Sequence, residues 1–150
     1  SLQEKDNPML HDQHNTGLAC PCGSGDSFNR CCESAIEGGQ PAKTAEQLMR
    51  SRYSAFALGM SDYLIDTTHP DYRQGMTINE LEQQHAETTW RRLTIVKTEA
   101  GREHDTLGRV AFIAEFSVDG KIAQLQEDSR FERIQGHWYY LDGEVQVKPA

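Results

Sequence analysis

The sequence predicts an α+β protein, in which N-terminal helices wrap one side of a curved antiparallel sheet and a small metal-binding module precedes both. Three observations carry this reading. Every cysteine of the 150-residue chain falls within CPCGSGDSFNRCC, residues 20–32. Between residues 44 and 87, apolar residues recur at three- and four-residue steps, the period of helices with one buried face. From Trp90 onward they alternate with polar residues, the period of half-buried strands. Helices in one run and strands in the next are the order of an α+β fold.

Length and charge narrow the possibilities. The chain is long enough for one ordinary domain plus a small appendage, and its 37% hydrophobic content supports a single core. A formal net charge of -8 argues against broad nucleic-acid binding. No apolar run approaches the roughly 20 residues of a membrane span. The opening SLQEKDNPMLHDQHNTG has no apolar stretch of a secretory signal, which leads to the expectation of a cytoplasmic protein. The first residue is not Met, so the native start is left open. Residues 1–19 read as a flexible segment. His11 and His14 within it form only a loose metal pair, because the residues around them are too polar to order it.

The thiols, Cys20, Cys22, Cys31 and Cys32, are spaced C-x-C-x8-C-C. Two short pairs can fill the four corners of a zinc tetrahedron, which leaves no position for water and makes the metal structural. Gly23, Ser24 and Gly25 let the chain turn sharply and aim backbone N–H groups at sulfur. Pro21 restricts the first loop, and Phe28 can pack beneath the site. Two other uses of the thiols compete with zinc. Cross-paired disulfides are geometrically conceivable but need an oxidising compartment, and neighbouring cysteines bond to each other only with strain. A redox pair would more usually show C-x-x-C.

After this module (residues 20–33), residues 34–43 read as a linker rich in glycine and proline. The main domain then occupies 44–150. Thr44 and Gln47 form a capping-box start. Ala45, Leu48, Met49, Tyr53, Phe56 and Met60 make the apolar stripe of the first long helix, and Gly59 stops or bends it. A short helix is expected from Ser61 through Asp66, ended by His69-Pro70. Thr77 and Glu80 begin another, mostly polar, that runs to about Glu87 on the surface. Leu93 and Ile95 mark the first strand, and the charged Gly101–Asp105 loop follows it. Val110, Phe112, Ala114, Phe116 and Val118 mark the second strand. Asp119-Gly120 is a hairpin turn. The third strand runs from Lys121 toward Ile134 with a bend or bulge, and Gln135-Gly136 turns the chain into His137–Leu141.

CPCGSG, the aromatic Phe28 and the closing CC resemble the SEC-C motif, a zinc-binding module named for the C-terminal tail of the preprotein-translocase ATPase. There it contacts an export chaperone. Related motifs usually carry several basic residues before the last cysteine pair; here that stretch is Asp26, Ser27, Phe28, Asn29 and Arg30, which weakens any role for a basic face. The order of elements is similar to the nuclear-transport-factor-like (cystatin-type) fold. Together with the N-terminal motif, AEQLMRSRYSAFALG, RFER and GHWYYLDG resemble the YchJ family of bacterial proteins, from Cys20 to about Gly143. The resemblance implies a cone with a concave pocket and structural Zn2+; it implies no activity.

Polar and aromatic residues that could face such a pocket are Arg52, Tyr53, His69, Asp71, Trp90, Glu115, Glu127, Arg130, Trp138 and Tyr140. Arg52 lies on or beside an apolar stripe, so a charge there needs a partner; Glu115, Glu127 and Asp128 could supply it. That pairing would tie helix to sheet. His69, Pro70 and Asp71 read as a loop near the mouth of the cone. Asp62 and Asp66 read as solvated, and Trp90 is core or cavity wall. No nucleophile elbow, phosphate loop, dinucleotide fingerprint or H-E-x-x-H pattern occurs, so no reaction type follows. The favoured expectation is a zinc-binding accessory or adaptor protein. Its module would dock on a protein partner in export or proteostasis, by analogy with the translocase tail. The alternative is a small-molecule binder or enzyme that uses the cone, with an unidentified small ligand.

Overall fold

The computed structural model describes residues 18–150. The segment expected to be flexible, with His11 and His14, falls outside them through residue 17. A one-turn 3-10 helix, Phe28–Arg30, leads into α1, Cys32–Ile36. Three more α-helices follow, α2, Ala45–Leu58, α3, Ser61–Asp66, and α4, Ile78–Glu87, with a second 3-10 turn, Pro70–Tyr72, between the last two. The strands β1 (Thr89–Ala100), β2 (Leu107–Val118), β3 (Lys121–Ile134) and β4 (His137–Pro149) pair in chain order as an antiparallel meander.

Local chemistry sets the element ends. The Thr44 hydroxyl accepts from the Gln47 N–H at 3.0 Å, while Gln47 reaches back to accept from the Lys43 N–H at 2.8 Å. One orphan donor at the start of α2, and the N–H of the residue just before its cap, are thereby satisfied. Gly59, left-handed at φ 76°, ends the helix. Thr77 caps α4 in the same way, accepting from Glu80 N at 3.1 Å. Asp119-Gly120 and Gln135-Gly136 both have positive φ throughout, the backbone of the two-residue turns whose twist matches the strands they join.

Two differences from the sequence reading have physical causes. β4 runs on through Asp142-Gly143-Glu144 to Pro149, well past Leu141, because its backbone stays paired to β3 where its side chains lose the apolar signal. The irregularity expected in β3 falls opposite it. Leu141 of β4 is skipped between the Arg130↔Asp142 and Phe131↔Tyr140 pairs.

The linker and module boundaries are blurred for one reason. α1 carries the chain past residue 33 as helix. At the other end, Leu18 accepts from the Phe28 N–H at 2.8 Å and Ala19 bridges to Ser27. A fourteen-residue module has too little apolar surface to close a core alone. Cys20, Cys22, Phe28 and Cys32 instead share one core with Ala45, Leu48, Met49 and Tyr53 of α2 and with Val110, Phe112, Ala114, Phe131 and Trp138 of the sheet. At the N-terminal end of α2 the packing is tighter still. Ala45 N–H donates to Gly101 O at 2.9 Å, and Gly101 and Gly108 let the β1–β2 hairpin lie directly against Ala45.

Candidate metal centre and cone cavity

The sharp loop through Gly23 and Gly25, both at positive φ, brings the first cysteine pair back beneath the second. Cys20 N–H donates to Asp26 O and Gly23 N–H to Cys20 O, at 3.0 and 3.1 Å. All four sulfurs lie within 4.8 Å of one another. Cys22 and Cys31 are 3.6 Å apart, and Cys31 and Cys32 are 3.9 Å apart. A tetrahedron with metal–sulfur distances of about 2.3 Å has edges of about 3.8 Å, so the cluster has the dimensions to hold a metal ion. The four thiols are free cysteines rather than disulfides.

The thiols cannot titrate independently. Hydrogen bonding from Cys20 and Cys32 pulls the Cys22 thiol far below its ordinary range. Hydrogen bonding with Cys20 and Cys22 pushes Cys32 far up, and burial pushes Cys31 up to about 11. A bound cation would remove this competition by accepting all four as thiolates. Two hydroxyls approach the sulfurs. Ser24 Oγ lies 3.1 Å from Cys31 Sγ, and Ser54 Oγ of α2 lies 3.5 Å from Cys20 Sγ. Arg50, also on α2, donates from Nη1 to Cys22 O at 2.9 Å. The helix thus supplies outer contacts to the candidate metal centre.

The opposite face of α2 forms a wall of the cone. Between it and the inner face of the sheet is a cavity of about 180 Å³ lined by Met49, Tyr53, Phe56, Trp90, Phe112 and Leu125. Its polar groups are Arg52, Glu127, Tyr140 and Gln84 of α4. Of the candidates named from sequence, Arg52, Tyr53, Trp90, Glu127 and Tyr140 meet here. The others lie elsewhere. Glu115 is bound by Arg91 at 3.2 Å and Arg92 at 3.5 Å. Arg130 makes a two-pronged pair with Asp142 at 2.7 and 2.8 Å. His69 accepts from the Asp71 N–H at 3.0 Å and packs on Tyr72 and Tyr139. Trp138 is buried and donates to Lys43 O at 3.1 Å. Strand alternation explains the split: Glu127 pairs with Phe112 and shares its inward face, whereas Arg130, three residues on, points outward.

Arg52 has no carboxylate partner of the kind expected. Asp128 is paired with Arg109 at 2.9 Å, Glu115 is held as above, and no ion pair joins Arg52 to Glu127 among the described residues. The buried guanidinium donates through Nη1 to Leu64 O, Thr67 Oγ1 and Thr68 Oγ1 at 2.9, 2.8 and 3.1 Å. Its Cζ sits 4.5 Å from the centre of the Tyr140 ring. Tyr140 in turn donates to Glu127 Oε2 at 2.6 Å, and Ser129 donates to the same oxygen at 2.9 Å. Burial lowers the Arg52 pKa to about 10, so the group stays cationic at neutral pH. Burial, followed by the neighbouring Glu127, raises that of Tyr140. Gly143 gives this arrangement its room, since a Cβ there would meet Glu127 Cγ and Cδ at 2.7 and 2.8 Å.

Sequence reasoning missed Ser54, Arg50 and Gly143 and, as cavity residues, Met49, Phe56, Phe112 and Leu125. The inward parity of β2 and β3 and the stripe on α2 were sufficient to find the last four. For Ser54 and Gly143 the chain offers no local signal, because each matters only through a residue distant in sequence.

Fold and site together define a two-part protein, a four-cysteine module seated on a nuclear-transport-factor-like cone. The chain belongs to the YchJ family: residues 44–143 match its middle NTF2-like domain. It is 43% identical over 130 residues to a UPF0225 protein of Vibrio parahaemolyticus, covering 83% of this chain and 74% of the relative. To a UPF0225 protein of Chromobacterium violaceum it is 43% identical over 127 residues, covering 85% and 93%. The solution structure of a SEC-C motif containing protein from Rhodopseudomonas palustris superposes with a TM-score of 0.77 at 32% identity, covering 83% of this chain and 96% of that one. The crystal structure of another from Psychrobacter arcticus gives 0.75 at 27% identity, covering 91% and 88%.

Proposed function

We propose that this protein binds a small molecule inside its cone, and that a structural zinc ion in the thiolate cluster clasps the helix forming one cavity wall. The observation that supports the binding site is Arg52. Desolvating a cation costs several kcal/mol, and a core shaped for stability alone would replace it with an apolar side chain. Here the cation lines a mostly apolar cavity with no carboxylate in contact among the described residues. Zinc suits four thiolates in a closed tetrahedron, and α2, which carries both Ser54 and Arg52, links the two sites. Four free thiols suit a reducing compartment such as the cytoplasm.

The test has two arms on the full chain. Metal analysis with thiol titration should find one zinc per chain and four thiols that react only after chelation. Two-dimensional NMR with a small-fragment library should shift the Trp90 indole resonance and the amides around Phe112 and Glu127. A library that perturbs no cone resonance overturns the binding reading.

Docking of the module on a protein partner is the second reading. It is supported by a groove of about 410 Å³ between the module and α2, lined by residues of both charges, including Asp26, Arg30, Lys43 and Glu46. A partner captured by the unaltered chain but lost on Arg30→Glu would favour it.

A further inference from the structure

We infer that the cone takes a net-neutral ligand about one ring in size that presents a hydrogen-bond acceptor beside a donor, as a cyclic amide does. This inference rests on the cone being a binding site and specifies its chemistry.

Size comes first. A cavity of about 180 Å³ is slightly larger than the engineered cavity of about 150 Å³ that admits benzene. One six-membered ring with one or two substituents fills it. The walls suit a flat ligand. Trp90 packs against Tyr53, Phe56 and Phe116 with centroids 5.9, 5.8 and 5.3 Å apart, so aromatic faces and edges already line the space.

Charge decides the class. The cavity holds one cation, Arg52, and one carboxylate, Glu127, and neither neutralises the other by direct contact. Tyr140 keeps them apart, with Arg52 over its ring and Glu127 at its hydroxyl. Both charged groups also have unused hydrogen-bonding capacity. All the hydrogen bonds of Arg52 leave from Nη1, so Nε and Nη2 donate to nothing among the described residues. Both hydroxyls that reach Glu127 bind Oε2, so Oε1 accepts nothing among them either. A third group unmet among the described residues is Trp90 Nε1–H, buried in the wall. A carboxylate ligand would satisfy Arg52 but place a second anion near Glu127. An ammonium ligand would do the reverse. Each would bury one uncompensated charge. A ring bearing C=O next to N–H meets Arg52 with the first group and Glu127 with the second, and it adds no net charge.

Calorimetric titration of the metal-loaded full chain with 2-pyridone, benzoate, benzamidine and toluene ranks the four ligand classes on one ring size. We expect 2-pyridone to bind at least about tenfold tighter than each of the others, the worth of one hydrogen bond to a charged group. Glu127→Gln keeps an acceptor for Tyr140 and Ser129 and, in the folded chain, should weaken 2-pyridone by about tenfold. The ranking on the unaltered chain decides the question even if that variant fails to fold. Toluene equal to 2-pyridone would make the polar groups structural, and benzoate or benzamidine tightest would make this a charge site. The first result overturns the acceptor-beside-donor inference, the second overturns its neutrality, and both leave the cone a binding site. Binding of none of the four overturns both.

Discussion

Ser54→Ala separates a metal-supporting helix from one that merely packs beside the module. Ser54 is fully buried on α2, and its hydroxyl lies 3.5 Å from Cys20 Sγ. If Cys20 is a zinc thiolate, this is a hydrogen bond to an anion, worth about 1.5–3 kcal/mol; its length places it toward the lower end. Loss of such an outer contact typically costs about 10–100-fold in metal affinity, or about 1.4–2.7 kcal/mol. Competition against a chromophoric chelator at neutral pH measures the ratio directly. Ser51→Ala is the control. Ser51 is equally buried one turn earlier, but it bonds to Leu48 O at 2.8 Å and Tyr63 Oη at 2.7 Å, with no sulfur contact. It should cost about 1 kcal/mol of stability and leave zinc affinity within about twofold. The reasoning is refuted if folded Ser54→Ala holds zinc as tightly as the unaltered chain, or if both variants weaken it equally.

Two further predictions concern the frame around the sites. Gly108 has no left-handed backbone to excuse it, yet a Cβ there would stand 2.6 Å from Gly101 Cα and 3.0 Å from Ala45 Cβ. Gly108→Ala should therefore cost about 1–3 kcal/mol by overpacking, lowering the melting temperature by roughly 3–10 °C. An unchanged midpoint in a calorimetric scan would mean that the helix–hairpin junction yields. Hydrogen bonds from Arg130 hold the Asp142 carboxyl below its ordinary range. With the folded pKa depressed, this contribution to stability is present above the unfolded-state value near about 3.9 and is lost as pH falls through the folded value. The stability gap between the unaltered chain and Asp142→Asn, read by urea denaturation, should accordingly shrink from pH 7 to acid. A gap independent of pH would show that the pair contributes nothing through ionisation.

What the sequence by itself determined was whatever depends on near neighbours along the chain. The C-x-C-x8-C-C spacing, Thr44 and Thr77 as caps, Gly59 as a stop, and the two glycine hairpin turns each act over a few residues, and all are visible in order. The strand period likewise placed Phe112 and Ala114 on one face without any knowledge of their partners. Tertiary structure alone decided the rest. The module does not stand apart on a linker, because its cysteines and Phe28 cannot bury themselves and must borrow the core of α2. Arg52 was legible as a charge out of place but not as a charge without a carboxylate, since its neighbours come from α3 and β4. Glu127 has room to turn inward only because Gly143, on the next strand, has no side chain. Which of ten polar candidates share a cavity was settled by strand parity and by register across distant segments. Short-range geometry is written in the order of residues, whereas the pairing of a charge with a space depends on how the chain returns to itself.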